Sequence, residues 1–291
     1  MKIFYVTNAR LPTEKAHGLA TIKLSEAFAE SGADVTVLAP RRVNSLKADV
    51  YEYYCAKRNF KLRFLPSLDF LWLGFGQRFF FPIQLFSFSI AAALWLRRRC
   101  GLAGGLHDAV IFSHDHVPLF FASFFAPRIF YDIHDYPEDN FLYRRVLRKA
   151  LGFAVQTKWK VKKLGQDFGV PAFKMVYWPN GTDVKRFDIA ASSAEARTKL
   201  GLPPDKKIVL YAGSLQKWKG VETLIKTAEY LPGGVLVYIV GGSDGEAERF
   251  KNLKIKSQNV FFVSQKPWAE IPVWLKAADV LVLPNTGKSE I

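Results

Sequence analysis

The most restrictive feature of this 291-residue sequence is the alternation of short apolar runs with helix-spaced segments. Residues 3–7, IFYVT, are apolar. Residues 19–31, LATIKLSEAFAES, space their apolar side chains as a helix does, and residues 34–40, DVTVLAP, are apolar again. Two buried strands joined through one helix must lie parallel, with a right-handed crossover. Further runs at 109–112, 128–133, 153–157 and 174–179 extend the series. A second series starts at 208–213 (IVLYAG) and continues at 235–242, 260–264 and 279–284, with helices expected over 220–231, 245–253 and 268–279. Between the two, residues 180–193 (NGTDVKRFDIAASS) are rich in turn-formers and small polar residues, as a linker is. The expectation is two α/β domains, residues 1–185 and 186–291.

One segment departs from the rhythm. Residues 79–96, FFFPIQLFSFSIAAALWL, hold 18 positions without a charge and are followed by Arg97, Arg98 and Arg99. That length suits a membrane span, but Pro82, Gln84, Ser87 and Ser89 lower its apolarity and strand-like runs continue on both sides. A buried crossover helix is the expectation.

Charge narrows the partners. The 41 basic residues against 26 acidic ones give a net charge of +15, which calls for an anionic partner: nucleotide, nucleic acid or membrane lipid. Residues 144–166 carry eight basic side chains and no acidic one, but no nucleic-acid motif accompanies them. Anionic lipid is preferred there over nucleic acid, with a plain solvated face as the alternative. Two cysteines, Cys55 and Cys100, exclude a disulfide scaffold and suit a reducing compartment. The first apolar run is too short for a secretory signal, so a cytoplasmic protein is expected.

A dinucleotide domain is the first candidate for a β-α-β start. Its glycine fingerprint is missing: the loop NARLPTEKAHG has only Gly18, and the second run ends in Arg41-Arg42 where an acidic ribose ligand belongs. The better candidates lie at other strand ends. YAGSLQKWKG places Gly213 and Ser214 at a strand end, then Lys217 and Lys219 before a helix. Small residues let a ligand approach the backbone, and lysines beside free helical N–H groups favour a phosphate. Gly241-Gly242-Ser243 and Pro284-Asn285-Thr286 end two further strands in the same manner. In YDIHDYPE, His134 ends a strand among Asp132, Asp135 and Glu138, placed to meet a phosphate or sugar hydroxyl or to be satisfied by its neighbours. His114, Asp115 and His116 suit a metal only loosely, and a cleft-lining or structural role is preferred.

Taken together, these motifs resemble the retaining glycosyltransferases of family four. The resemblance runs through HGLAT, the HD after FYDI, PNGTDVKRF, YAGSLQKWKGVETLI, VYIVGG and NVFF…IPVWLKAADVLVLP. It implies the GT-B fold: two Rossmann-like domains with parallel sheets facing a cleft, an acceptor side first and a nucleotide-sugar side second. It implies that Lys219 binds the donor diphosphate and stabilises the leaving group, with Lys217 as the candidate second cation and Gly213 and Ser214 as the small residues at the strand end beside them. It places Gly18 near the phosphates and acceptor, His134 at the donor sugar, and Gln265 and Lys266 beside the base. It also implies transfer with retention, a nucleotide sugar as co-substrate, no metal or other cofactor, and a sugar or lipid-linked acceptor. Together with the basic segments, this suggests work at the inner face of a membrane, in envelope or polysaccharide synthesis.

Departures from the family pattern are the single glycine of the first loop, Ser214 where arginine is frequent, and an end at Ile291 before a paired-glutamate motif, with Glu290 near its place. The second domain is therefore expected to be incomplete. A GT-B nucleotide-sugar epimerase and a truncated chain that binds anionic membrane without turnover are the alternatives.

Overall fold

The computed structural model describes residues 1–101, 109–242, 246, 250 and 258–285. It divides into two compact units, Met1–Gly181 and Thr182–Ile291. Ser243, Thr286, Glu290 and most of the helix expected over 245–253 lie outside the described residues.

The first unit is built on a seven-stranded sheet in the order β3-β2-β1-β4-β5-β6-β7. Its strands are β1 (Lys2–Val6), β2 (Asp34–Pro40), β3 (Lys61–Leu65), β4 (Ala109–Ser113), β5 (Ile129–Ile133), β6 (Gly152–Val155) and β7 (Met175–Tyr177). Every pairing is parallel. The strands therefore all end at one edge, where strand order reverses between β1 and β4. Ligands collect at such a switch point in open parallel sheets. The helices are α1 (Ala16–Glu30), α2 (Val50–Tyr53), α3 (Gln77–Gly101), α4 (His116–Ala122), α5 (Phe141–Lys149) and α6 (Lys158–Phe168). Two apolar clusters fill the unit, one around Ile111, Leu119, Ile133 and Phe153, the other around Tyr5, Ile22, Val37 and Tyr54.

β3 has no counterpart in the sequence reading. In KLRFL, Lys61 and Arg63 interrupt the apolar run, as suits an edge strand with water on one side. Arg63 lies over the Trp95 ring at 5.5 Å.

α3 is the crossover from β3 to β4, and the expectation of a buried helix holds for one face only. Phe88, Ala92 and Leu96 enter the core. Buried Gln84 exchanges amide hydrogen bonds with Asn8 at 3.0 and 3.2 Å, tying the helix to the end of β1. The opposite stripe, Phe79, Phe86, Ile90 and Leu94, is exposed.

The basic block at 144–166 is carried by two helices that pack on the same apolar cluster. Buried β6 divides it between α5 and α6. Arg144 and Lys163 pair with Asp139 and Asp167, and Arg145 lies over Phe124 at 3.7 Å.

The second unit holds a parallel sheet in the order β10-β9-β8-β11. The strands are β8 (Lys207–Ala212), β9 (Val235–Val240), β10 (Val260–Val263) and β11 (Val280–Leu281). Its helices include α7 (Val184–Phe187), α8 (Ser193–Leu200), α9 (Val221–Ala228) and α10 (Ile271–Ala277). α8 begins on a capping box, Ser192 with Glu195. Buried Arg197 binds the carbonyls of Ala277, Pro204 and Lys206 and the Asp279 carboxylate, locking α8 and α10 to the base of β8.

Candidate functional site

In the second unit the β8 and β9 ends are pressed together. Gly241 has φ +122°, and a Cβ there would stand 2.3 Å from the Gly213 carbonyl oxygen. Gly242, at φ +80°, would drive a Cβ into Leu215. Only glycine adopts such angles while admitting another backbone so closely. Gly213 and Ser214 are thus held in a fixed turn, and Ser214 is pinned further where its carbonyl accepts the Tyr211 hydroxyl at 2.6 Å. Burial, with Glu246, pushes the Tyr211 phenol up to about 12, so it stays a donor.

Beyond this turn, Lys217–Lys219 form one 3-10 turn that ends at Gly220, in the left-handed region at φ 69°. Gly220 is also the N-cap of α9, and no side chain caps that helix. The Thr223 N–H donates to the Gly220 carbonyl at 2.9 Å, and the positive end of the helix dipole lies at this start. The Lys219 ammonium stands 4.0 Å over the Trp218 ring, whose indole N–H is fixed on Gln216 at 2.8 Å. A half-buried cation is thus held beside an uncapped helix start, with exposed Lys217 on the same turn. Gln265 and Lys266 follow β10, whose last carbonyl accepts the Gly241 N–H at 3.0 Å. They are two strands from Lys219, across β9.

In the first unit, two imidazole–carboxylate pairs meet at the edge where β4 and β5 end. His134 Nε2 lies 2.8 Å from Asp132 Oδ2, and Gln156 donates to the other Asp132 oxygen at 3.3 Å. His114 Nδ1 lies 3.2 Å from the Tyr5 hydroxyl, and its Nε2 lies 3.4 Å from Asp115 Oδ2. Burial, then the charges of Asp132 and Asp115, push the Tyr5 phenol far above its ordinary range. The two imidazole centres are 5.6 Å apart. Asp115 also accepts the Asn8 N–H at 2.7 Å, bridging the switch point between β1 and β4.

Lys160 reaches into the same place, donating to the His134 carbonyl and to Gln156. Burial holds its ammonium below the ordinary range, against the pull of Asp135 and Asp132. His116 is elsewhere, stacked on Tyr143 at 3.8 Å. Residues 114–116 therefore do not converge, and the described residues hold no group of three or more potential metal ligands. Gly18, in the first turn of α1, is packed: a Cβ there would meet the Tyr54 hydroxyl at 2.3 Å and Thr13 at 2.4 Å.

Sequence reasoning singled out His134 but not the parts that fix it, Gln156 and Lys160. Both are supplied by a neighbouring strand end and helix, and no local motif marks them.

Residues 192–289 match the family model described as Glycosyl transferases group 1. Among curated relatives, the putative colanic acid biosynthesis glycosyl transferase WcaI of Escherichia coli is 29% identical over 127 residues, covering 42% of this chain and 31% of that protein. The D-inositol 3-phosphate glycosyltransferase of Streptomyces bingchenggensis is 31% identical over 148 residues, covering 46% and 32%. These alignments span about a third of the relatives' own length. Among solved structures, Anabaena HepE in complex with UDP aligns with TM-score 0.68 and 18% identity over 99% of this chain and 75% of that one. Sucrose-phosphate synthase of Thermosynechococcus elongatus gives 0.72 and 20%, over 98% and 75%. The chain thus has the GT-B glycosyltransferase fold, with a stretch matching the group 1 glycosyl transferases over residues 192–289.

Proposed function

We propose that this protein transfers a glycosyl group from a nucleoside-diphosphate sugar to an acceptor hydroxyl with retention, in cell-envelope or polysaccharide synthesis. The observation that carries the reading is the uncapped start of α9, with Lys219 beside it and the glycine turn of β8 before it. The donor diphosphate would sit on the α9 N–H groups. Lys219 and Lys217 would stabilise the charge that grows on the diphosphate as the sugar departs, a task that a metal performs in other enzymes. Gly213 and Ser214 would let the phosphates reach the backbone, and Gln265 and Lys266 would flank the base. His134, oriented by Asp132, would contact the donor sugar. The acceptor would attack on the face from which the diphosphate leaves, and the departing phosphate would take its proton. A nucleotide-sugar donor is supported by HepE, whose structures hold UDP and UDP-glucose.

We place the protein at the inner face of the cell membrane, as a peripheral enzyme meeting a sugar or lipid-linked acceptor. The support is α3, whose outward apolar stripe leads into Arg97, Arg98 and Arg99. An apolar face with flanking cations suits an anionic lipid surface.

The test is a thermal-shift panel of UDP, GDP and ADP on the parent chain and on Lys219→Glu. One nucleotide should stabilise the parent in a saturable way, and the variant should lose that shift. No shift with any of the three, or an equal shift in the variant, refutes the reading.

A further inference from the structure

The residues that close β2 are not used by the transfer reading. Pro40, Arg41 and Arg42 face Arg10 and Leu11 from the loop after β1, and Phe64 from β3, around a cavity of about 280 Å³. All three strands end here, so the cavity opens at the ligand-collecting edge of the first unit. Three guanidinium groups share it with an apolar wall.

Carboxylates answer these charges only in part. Arg10 pairs with Glu14 at 3.1 Å. Arg42 Nε pairs with Asp69 at 3.6 Å, outside hydrogen-bond distance, and Asp69 also accepts the N–H groups of Val43 at 2.9 Å and Leu71 at 3.2 Å. Arg42 Nε is buried without an acceptor at hydrogen-bond distance. Such a donor costs free energy until an acceptor arrives. Arg41 forms no ion pair with a carboxylate among the described residues. Its backbone is fixed, since its N–H donates to Leu65 at 2.7 Å and its carbonyl accepts from Ser67 at 2.8 Å, while its side chain is exposed.

We propose that this pocket binds a phosphate or diphosphate ester, which on the transferase reading is the anionic group of the acceptor. Arg41 and Arg42 supply planar forks that match phosphate oxygens, and Arg10 adds a third positive charge. Leu11, Pro40 and Phe64 pack against the organic part of the ester. A dinucleotide phosphate fits less well, because Tyr54 and Thr13 fill the space beside Gly18 where a pyrophosphate would approach α1.

The test is calorimetric titration of the full chain with inorganic pyrophosphate, in the parent, Arg41→Gln, Arg41→Lys and Lys219→Glu. Because pyrophosphate also suits the proposed donor site, Arg41→Gln is compared within a Lys219→Glu background, where loss of one charged hydrogen-bonding group predicts at least about tenfold weaker binding. Arg41→Lys should fall between, and Lys219→Glu should keep the site. Because Arg41 is exposed, its variants should melt with the parent. Binding lost in Lys219→Glu but kept in Arg41→Gln would overturn the proposal, as would no binding by the parent at millimolar pyrophosphate. Displacement of pyrophosphate by dihexanoyl phosphatidic acid points to a lipid-borne phosphate, and displacement by glucose 6-phosphate to a soluble one. Displacement by neither overturns the ester assignment. Failure of the transferase reading itself shows separately, as absent nucleotide binding with Arg41-dependent pyrophosphate binding intact.

Discussion

Gly241→Ala is the substitution that most directly probes the packed turn beneath the proposed donor site. At φ +122°, an L side chain is strained, and its Cβ would lie 2.3 Å from the Gly213 oxygen and 3.1 Å from the Gly213 carbonyl carbon. Both contacts are backbone, so no rotamer change relieves them. Strain at such a φ costs about 1–3 kcal/mol and overpacking about 1–3 kcal/mol more. A loss near 3 kcal/mol is about a hundredfold in the opening equilibrium of the strands. Gly213→Ala is the control. Its Cβ would meet the Tyr211 hydroxyl at 2.9 Å, the end of a side chain, and its backbone has no positive φ. That change carries the overpacking cost alone, at its low end of about 1 kcal/mol. Two compact units make a single melting curve hard to assign, so the assay is amide hydrogen exchange in β8 and β9. Protection should fall about a hundredfold in Gly241→Ala and by much less in Gly213→Ala. Protection within threefold of the parent in both variants refutes the reasoning.

Two further outcomes follow from the first unit. Burial, reinforced for His17 by the nearby His114, holds the imidazoles of His17 and His116 below their ordinary value, although His17 as a whole is open to solvent. As pH falls through the ordinary histidine range, the unfolded chain therefore binds more protons than the folded one. Stability should fall as pH drops from about 7.5 to about 5.5 and recover on return, and His17→Gln with His116→Gln should flatten that dependence of the urea midpoint. An unchanged slope in the double variant contradicts this assignment. At the exposed stripe of α3, Ile90→Glu with Leu94→Glu should abolish co-sedimentation with anionic vesicles and leave nucleotide-induced stabilisation intact. Equal sedimentation of parent and variant removes the stripe from the membrane contact.

Much of the fold was legible because buried parallel strands read as unbroken apolar runs. IFYVT, DVTVLAP and IVLYAG need no tertiary information to be recognised. β3 escaped because an edge strand tolerates Lys61 and Arg63 on its open face. The outward half of α3 was misread for the converse reason: Phe79, Phe86, Ile90 and Leu94 have the composition of a core while facing solvent. The block at 144–166 reads as one basic run, and only the strand order shows that buried β6 interrupts it between α5 and α6.

At the candidate site, position along the chain was informative and purpose was less so. His134 could be placed at a strand end from YDIHDYPE alone, but its link to Asp132 and Gln156 depends on register between β5 and β6. Glycines were hardest to interpret. Gly18 and Gly241 look alike in sequence, yet one makes room for Tyr54 and the other for a neighbouring backbone. The arginines after β2 read as a missing acidic ligand until Arg10 and Phe64 closed a pocket around them.

The central claim is that a donor diphosphate docks where β8 gives way to α9. The most direct measurement is hydrogen exchange of the full chain with and without the nucleoside diphosphate that stabilises it. The account predicts slowed exchange at residues 213–222, spanning the glycine turn, the lysine turn and the first turn of α9. Slowing confined to the first unit, with residues 213–222 unchanged, would contradict it.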